Sequence, residues 1–445
     1  MSARERIFAL EQFGIKLGLD PIRLILEALK HPDRAWPAIH IAGTNGKGSV
    51  SAMVERGLRT AGHKTGRYTS PHLHRIEERI AIHGEAVEPA LFDAVAAEIM
   101  SVVDQLRSTG ALAAWPTFFE VTTALAFEIF RRRHIDVAVV EVGLGGRFDA
   151  TNVLTPTVTA ITSIALDHQR HLGTTIPQIA GEKAGIIKAG VPVVVGEIPD
   201  AARAVIVAEA ARRGAPVVPA GADCVARSQL VAGRASIDLR TPRAAYRGVM
   251  LGLNGAHQIA NAVVAVRTLE TCSDQGLEVG RNDVVAGLSE VEWPARLEWL
   301  RLRQNQHLLI DAAHNPAGAA ALADYVRAAD VAPLPVVLAV MRDKDIDAII
   351  LALSSVVSRF VTTEVASPRC TTATDLAQKI ARVVPGADVV SRPDPHAAID
   401  AALSASDRVA VTGSIFLVGP LRAQLIERGA TPVRYSSEGL PSFRS

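Results

Sequence analysis

Apolar positions change period several times along the chain, and each change marks an element. Ile7, Leu10, Phe13 and Leu17 recur near the 3.6-residue helical period. Ile22, Ile25, Leu26 and Leu29 repeat it behind Pro21, a residue favoured in the first helical turn. Residues 38–42 form a short apolar run before a glycine-rich turn, and a helical pattern occupies 50–61. Residues 67–73 read as a short strand ending in a loop, and 88–108 and 117–133 as helices. Residues 135–142 are almost continuously apolar, the pattern of a strand buried on both faces of a parallel sheet. A β-branched strand over 157–164, a helix over 179–187 and a strand over 191–195 continue the alternation. Residues 196–250 alternate helix and short strands around no interpretable motif, and a further helix runs to about Leu269.

Trp293-Pro294-Ala295-Arg296-Leu297 is a junction, because Pro294 breaks any helix and a fresh βα alternation follows it. Strands at 308–310, 335–340, 360–363 and 409–411 each end in polar residues, which predicts a second open parallel sheet facing a cleft. The pattern therefore predicts two α/β domains, residues 1–293 and a smaller 294–445.

Composition narrows the classes. Apolar residues make up 49% and charged residues 21% of 445, which is the balance of a globular chain long enough for two or three cores. The net charge of +1 argues against a whole-chain role on polyanions, and 4% aromatic content weakens single-strand stacking, so no nucleic-acid partner is expected. Three cysteines, Cys224, Cys272 and Cys370, are too sparse for a disulfide framework and fit a reducing compartment. There is no secretory signal and no apolar stretch near the ~18 residues that span a bilayer. The expectation is a cytoplasmic monomer without membrane contact.

Candidate chemistry begins at Gly43-Thr44-Asn45-Gly46-Lys47-Gly48-Ser49. Between a strand and a helix, such a stretch turns bare backbone N–H groups and a helix N-terminus toward an anion. Lys47 adds a point charge, and Ser49 a hydroxyl able to ligate Mg²⁺. The spacing is shorter than a Walker A motif, and Gly48 separates Lys47 from Ser49, so an ordinary glycine turn remains the rival reading. Glu141 interrupts the C-terminal end of the apolar run, where ligands gather in open α/β sheets, and is a Mg²⁺ candidate; a solvent-facing edge residue is the alternative. His168 sits at another strand end in Leu166-Asp167-His168. By spacing alone Ser70 caps the next segment, Glu120 serves either a helix dipole or a site, and Lys183 is a snorkelling surface lysine.

In order along the chain, Gly43–Ser49, Tyr68–Leu73, Glu141–Asn152, Leu166–His168, Gly181–Ile186, His257–Asn261, Asp311–Pro316 and Thr412–Ser414 resemble the motifs of the ATP-dependent Mur-type amide ligases. The resemblance is to the branch of folylpolyglutamate synthase and dihydrofolate synthase, in which the irregular phosphate loop is usual. It runs from Leu17-Gly18-Leu19-Asp20 to Ser414 and leaves 196–250 uncovered. It implies a P-loop-containing parallel-sheet ATPase domain followed by a Rossmann-like α/β glutamate-ligase domain. It implies that Thr44, Asn45, Gly46, Lys47, Gly48 and Ser49 cradle ATP, with Asn261, Arg296 and Asp311 on the nucleotide's far side. Ser49, Ser70, Glu141 and His168 would hold one or two Mg²⁺ ions, joined by a carbamylated Lys183. Thr117, Phe118, Phe119 and Glu120 with Phe148, Asp149 and Ala150 match the pterin-side pocket, and His314 and Ser414 match positions tied to the incoming glutamate and the acyl phosphate.

The implied reaction activates a carboxylate as an acyl phosphate, which the amine of L-glutamate then attacks, with the second domain closing over the first to exclude water. The substrates would be a pteroate or folate and L-glutamate. A Mur-type ligase acting on another acid is the nearest alternative, although too little chain precedes Gly43 for the additional N-terminal nucleotide-sugar domain of cell-wall members. A nucleotide-dependent switch is the alternative from another class; neither Asn-Lys-x-Asp nor Leu-Ser-Gly-Gly-Gln occurs.

Overall fold

The structure is a computed structural model that describes residues 1–14, 18–221, 224–231 and 234–433. Leu17, one of the predicted helical positions, lies outside them. The chain divides into two compact units. The first comprises Met1–Ala226, Leu239–Arg247 and Ala260–Val291; the second comprises Arg227–Asp238, Gly248–Ile259 and Glu292–Ser445.

The first unit is built on eight strands: β1 (Ala38–Ala42), β2 (Thr65–Tyr68), β3 (Ile80–Ile82), β4 (Glu85–Ala86), β5 (Val137–Glu141), β6 (Val158–Ile161), β7 (Val193–Val195) and β8 (Val217–Pro219). Their order is β4-β3-β2-β5-β1-β6-β7-β8. The six strands from β2 to β8 in that order run parallel, whereas β3 and β4 add antiparallel at one edge. The apolar run read from the sequence is β5, seated between β2 and β1 with every residue buried. Such burial on both faces is why its pattern does not alternate. The helix Phe118–Arg132 starts from a reciprocal cap in which Thr117 and Glu120 satisfy each other's backbone N–H. It packs Phe127 and Phe130 edge-on against Trp36, at centroid distances of 5.3 and 5.5 Å.

Residues 225–250 form three further strands, β9 (Val225–Val231), β10 (Arg234–Arg240) and β11 (Ala245–Met250), in the order β11-β10-β9.

The second unit carries β12 (Glu298–Arg301), β13 (His307–Ile310), β14 (Leu334–Leu338), β15 (Val357–Thr362), β16 (Val389–Ser391), β17 (Arg408–Thr412) and β18 (Thr431–Pro432), ordered β16-β15-β14-β17-β13-β12-β18. Five of these are parallel, but β12 pairs antiparallel with both β13 and β18. The second sheet is thus mixed rather than wholly parallel, because β12 returns directly beside β13 through a short turn instead of a crossover helix. Trp299 is buried there and donates its indole N–H to the Tyr325 hydroxyl at 2.9 Å. Among the described residues no helix is long and apolar enough to cross a membrane.

Candidate functional site

The central strand β1 delivers the glycine-rich loop to the carboxyl edge of the first sheet. Neighbouring strand β6 fixes the loop. Thr44 N donates to Ser163 O at 2.8 Å, Asn45 N donates to Ser163 Oγ at 3.0 Å, and Thr162 Oγ1 donates to Asn45 O at 2.7 Å. Thr44 Oγ1 both donates to Ala165 O and accepts from Ala165 N. Gly46 caps the helix Lys47–Thr60 with φ +86°, and a Cβ there would lie 2.2 Å from Asn261 Oδ1. Glycine is needed for both reasons. Lys47 Nζ folds back to Gly43 O at 3.0 Å and Thr44 O at 3.3 Å, which centres its charge over the loop. Ser49 is buried in the first turn of that helix, beside Gly48.

Strand β5 brings Glu141 to the same edge, in register with Ile41 of β1. The carboxylate is buried, and its Oε2 accepts from Ser70 N at 3.3 Å. Ser70 caps no helix; the following turn Ile76–Arg79 begins at Arg75, and Glu78 takes the N–H groups of Leu73 and Arg75 at 2.7 and 3.0 Å. The capping role expected from spacing fails because five residues separate Ser70 from that turn.

Lys183 is not a snorkelling lysine. It lies inside the helix Ile176–Ala184 with 4% of its surface exposed. Burial first, and then the nearby Lys47 ammonium, lower its pKa to about 7, against the opposing pull of Asp167 and Asp149. The strand-end position expected for His168 is not what the structure has: β6 stops at Ile161, and His168 is the exposed left-handed residue that precedes the helix Gln169–Leu172, with Nε2 3.8 Å from Asp167 Oδ2.

A cavity of about 260 Å³ opens beside this cluster, lined in part by Ser70, Arg79, Thr117, Phe119, Glu120 and Asp149. Phe148 and Ala150 also reach it. Phe118 does not line it; its ring packs in the core, under the Arg79 guanidinium at 5.1 Å and 5.9 Å from Phe8. Glu120 is largely spent on Thr117, accepting from its N at 2.7 Å and its hydroxyl at 2.8 Å. Asp149 is buried and organises the glycine loop, taking Leu144 N at 2.8 Å and Thr151 N at 3.0 Å. The Thr151 hydroxyl also donates to Asp149 and is itself 2.8 Å from His40 Nε2, a fully buried imidazole whose pKa burial lowers to about 3.

In the second unit, Asp311 ends β13 and is buried, accepting from Leu297 N at 2.9 Å and Ala313 N at 2.8 Å. Burial raises its pKa, while Arg296 and these amides pull it back. His314 Nδ1 lies 3.0 Å from Ala312 O. Gly413 N donates to Ala313 O at 3.0 Å, so the ends of β13 and β17 meet, and Ser414 caps the helix Ile415–Glu427. Asp311, His314 and Ser414 therefore share one sheet edge.

Sequence reading missed Thr162, Ser163, Arg79 and His40. The first two fall inside the strand read over 157–164, which the structure ends at Ile161, so in sequence they read as strand rather than as a polar pair beyond it. Arg79 gave no signal, lying in an otherwise unremarked segment, whereas His40 is the one polar residue inside the apolar run 38–42 and could have been flagged by that alone.

The family model described as Mur ligase, glutamate ligase domain, matches residues 295–415. The chain is 41% identical over 379 residues to a dihydrofolate synthase/folylpolyglutamate synthase of Mycobacterium tuberculosis, covering 81% of this chain and 77% of that protein. It is 33% identical to a Bacillus subtilis protein of the same description, covering 95% and 98%. Its fold is similar to that of Mycobacterium tuberculosis folylpolyglutamate synthase complexed with ADP and AMPPCP, at a TM-score of 0.89 and 36% identity over 97% of this chain and 99% of that one. It is similar also to E. coli FolC in complex with DHPP and ADP, at a TM-score of 0.84 and 29% identity over 96% and 98%.

Proposed function

The chain belongs to the folylpolyglutamate synthase/dihydrofolate synthase family, and we propose from that premise how its residues perform ATP-dependent addition of L-glutamate to dihydropteroate, to reduced folates or to both. Residues 1–293 bind ATP and the acid, and residues 294–445 serve the glutamate step. The observation that carries the reading is a strand-to-helix glycine loop whose Lys47 lies within electrostatic reach of the buried Lys183, in the same unit as a cavity lined by Phe119 and Phe148.

Thr44 through Ser49 offer backbone N–H groups and the Lys47 charge to the ATP phosphates. Asn261 closes on the loop at Gly46. Arg296 and Asp311 serve the nucleotide's far side. Phe119, Phe148 and Ala150 line the cavity for the flat ring of a pterin, with Thr117, Glu120 and Asp149 setting its walls. Phe118 supports that wall from the core. The acid's carboxylate attacks the γ-phosphorus, ADP leaves, and the glutamate amine displaces phosphate from the acyl carbon. His314 and Ser414 stand at the edge from which glutamate would be presented.

The donor chemistry fits Mg²⁺: Ser49, Ser70 and Glu141 supply hard oxygens, and Glu141 is a buried carboxylate at a strand end. Among the described residues no three His, Cys, Asp or Glu side chains gather as a metal site, which suits a cation that takes few protein carboxylates and keeps waters and phosphate oxygens. Bound there, Mg²⁺ would supply charge neutralisation for the transferring phosphoryl group. Exposed His168 contributes through its partner Asp167 or by a water. Lys183 carries a carbamate: with a pKa near 7 its amine is largely neutral at pH 8, and its lone pair adds to CO₂ with loss of one proton.

ADP release that requires both an acid of this class and glutamate tests the reading. Turnover triggered by a protein partner alone would mark a nucleotide switch instead.

A further inference from the structure

Among the described residues, Arg79 is a buried charge that no carboxylate meets in an ion pair. It closes the turn Ile76–Arg79 at the start of β3 and is 8% exposed. Its Nε donates to His72 Nδ1 at 2.9 Å, and its guanidinium lies against the Phe118 ring. Glu11, Glu141 and Tyr68 are its charged or ionisable neighbours, but among the described residues no carboxylate forms an ion pair with it. The contrast is Arg67, a comparably buried arginine in the same unit, which has Glu55 at 3.3 Å. Taking a guanidinium out of water is costly unless an anion repays it.

Arg79 also lines the cavity, where it is the one cation among the described lining residues. The other charged liners, Glu120, Asp149 and Glu182, are acids. His72 takes the Nε hydrogen, the Tyr68 hydroxyl is a second hydrogen-bond partner and Phe118 covers one face, so the guanidinium is held in a set orientation with only its remaining terminal N–H groups to offer. Ser70, whose N–H meets Glu141, lines the same cavity. Arg79 is within electrostatic reach of Glu141, at the carboxyl edge of the first sheet.

We propose that Arg79 binds the carboxylate of the acid substrate through its guanidinium and holds it for phosphorylation. A fork-shaped donor grips a carboxylate with defined orientation and leaves an oxygen lone pair for in-line attack. The inference rests on the ligase reading above, and the two fail separately. Amide formation by the unmodified protein tests the ligase; discrimination between a carboxylate and its neutral isostere tests Arg79.

The experiment compares binding of dihydropteroate and its carboxamide to the full-length protein, without ATP, by fluorescence quenching or calorimetry. The unmodified protein binds the carboxylate at least about tenfold more tightly, the size of one charge-assisted contact. Arg79→Met brings the two ligands to within about twofold while changing carboxamide and ATP affinity less than about threefold. A purely structural role for Arg79 would instead weaken both ligands together. Should Arg79→Met fail to fold, Arg79→Lys, which keeps the charge and loses the fork, raises KM for the acid at least about fivefold with KM for ATP unchanged. Equal binding of the two ligands by the unmodified protein, a preference surviving in Arg79→Met, or an unaltered KM in Arg79→Lys overturns the proposal.

Discussion

The Lys183 amine is buried within electrostatic reach of the Lys47 ammonium in the glycine-rich loop, and that burial with that neighbour brings its pKa down to about 7. A lysine so placed is ready to react as a neutral amine. Lys183→Ala is expected to lose at least about a hundredfold in kcat, and small carboxylates such as formate or acetate to restore part of it, because they replace the missing anionic oxygen. In the unmodified protein, ¹³C-labelled bicarbonate should give a carbamate signal that weakens as pH falls below 7 and the amine protonates. Full activity in unrescued Lys183→Ala would exclude an essential carbamate.

Gly46 should tolerate no side chain. Its φ of +86° is left-handed, and a Cβ would meet Asn261 Oδ1 at 2.2 Å. Gly46→Ala is expected to cost about 1–2 kcal/mol in backbone strain alone and to weaken ATP binding at least about tenfold. A nucleotide titration of Gly46→Ala checks the loss.

Those two positions show what sequence could and could not convey. The parallel core was legible because a strand buried on both faces is written as an unbroken run, as in 137–141. The antiparallel strands β3, β4, β12 and β18 were not, since strands of two to four residues leave no periodicity to read. Phe118 and Phe119 are adjacent in sequence, yet about 100° of helix rotation sends one to the core and the other to the cavity. No pattern within one turn distinguishes them. Lys183 looked like a surface lysine because its burial comes from segments far away in sequence, and Arg79 was silent for the same reason.

Acid should destabilise the fold through buried histidines. His40 has its pKa lowered by burial to about 3, and His257 to about 4 by burial and Arg296. Between those values and the ordinary 6.5, the unfolded chain binds protons that the folded chain does not. Stability is therefore complete above pH 6.5 and falls as pH drops toward 4, by up to about 1.4 kcal/mol per pH unit for each group. His40→Gln should flatten the slope of urea midpoint against pH in this window; an unchanged slope would count against it.

Asp311 should matter to the second unit's stability as well as to its site. It serves the backbone N–H of Leu297 and of Ala313. Asp311→Ala leaves both without their acceptor and is expected to cost about 2–4 kcal/mol, with Asp311→Asn costing less because one oxygen remains. Chemical denaturation of the two variants checks the order.

The most direct measurement supplies the protein with ATP, Mg²⁺ and L-glutamate, adds dihydropteroate or tetrahydrofolate in turn, and weighs the products by mass spectrometry alongside ADP. An acid heavier by one glutamyl residue, formed with one ADP per bond and only when acid and glutamate are both present, is the predicted result. ADP release with no amide from either acid would contradict it.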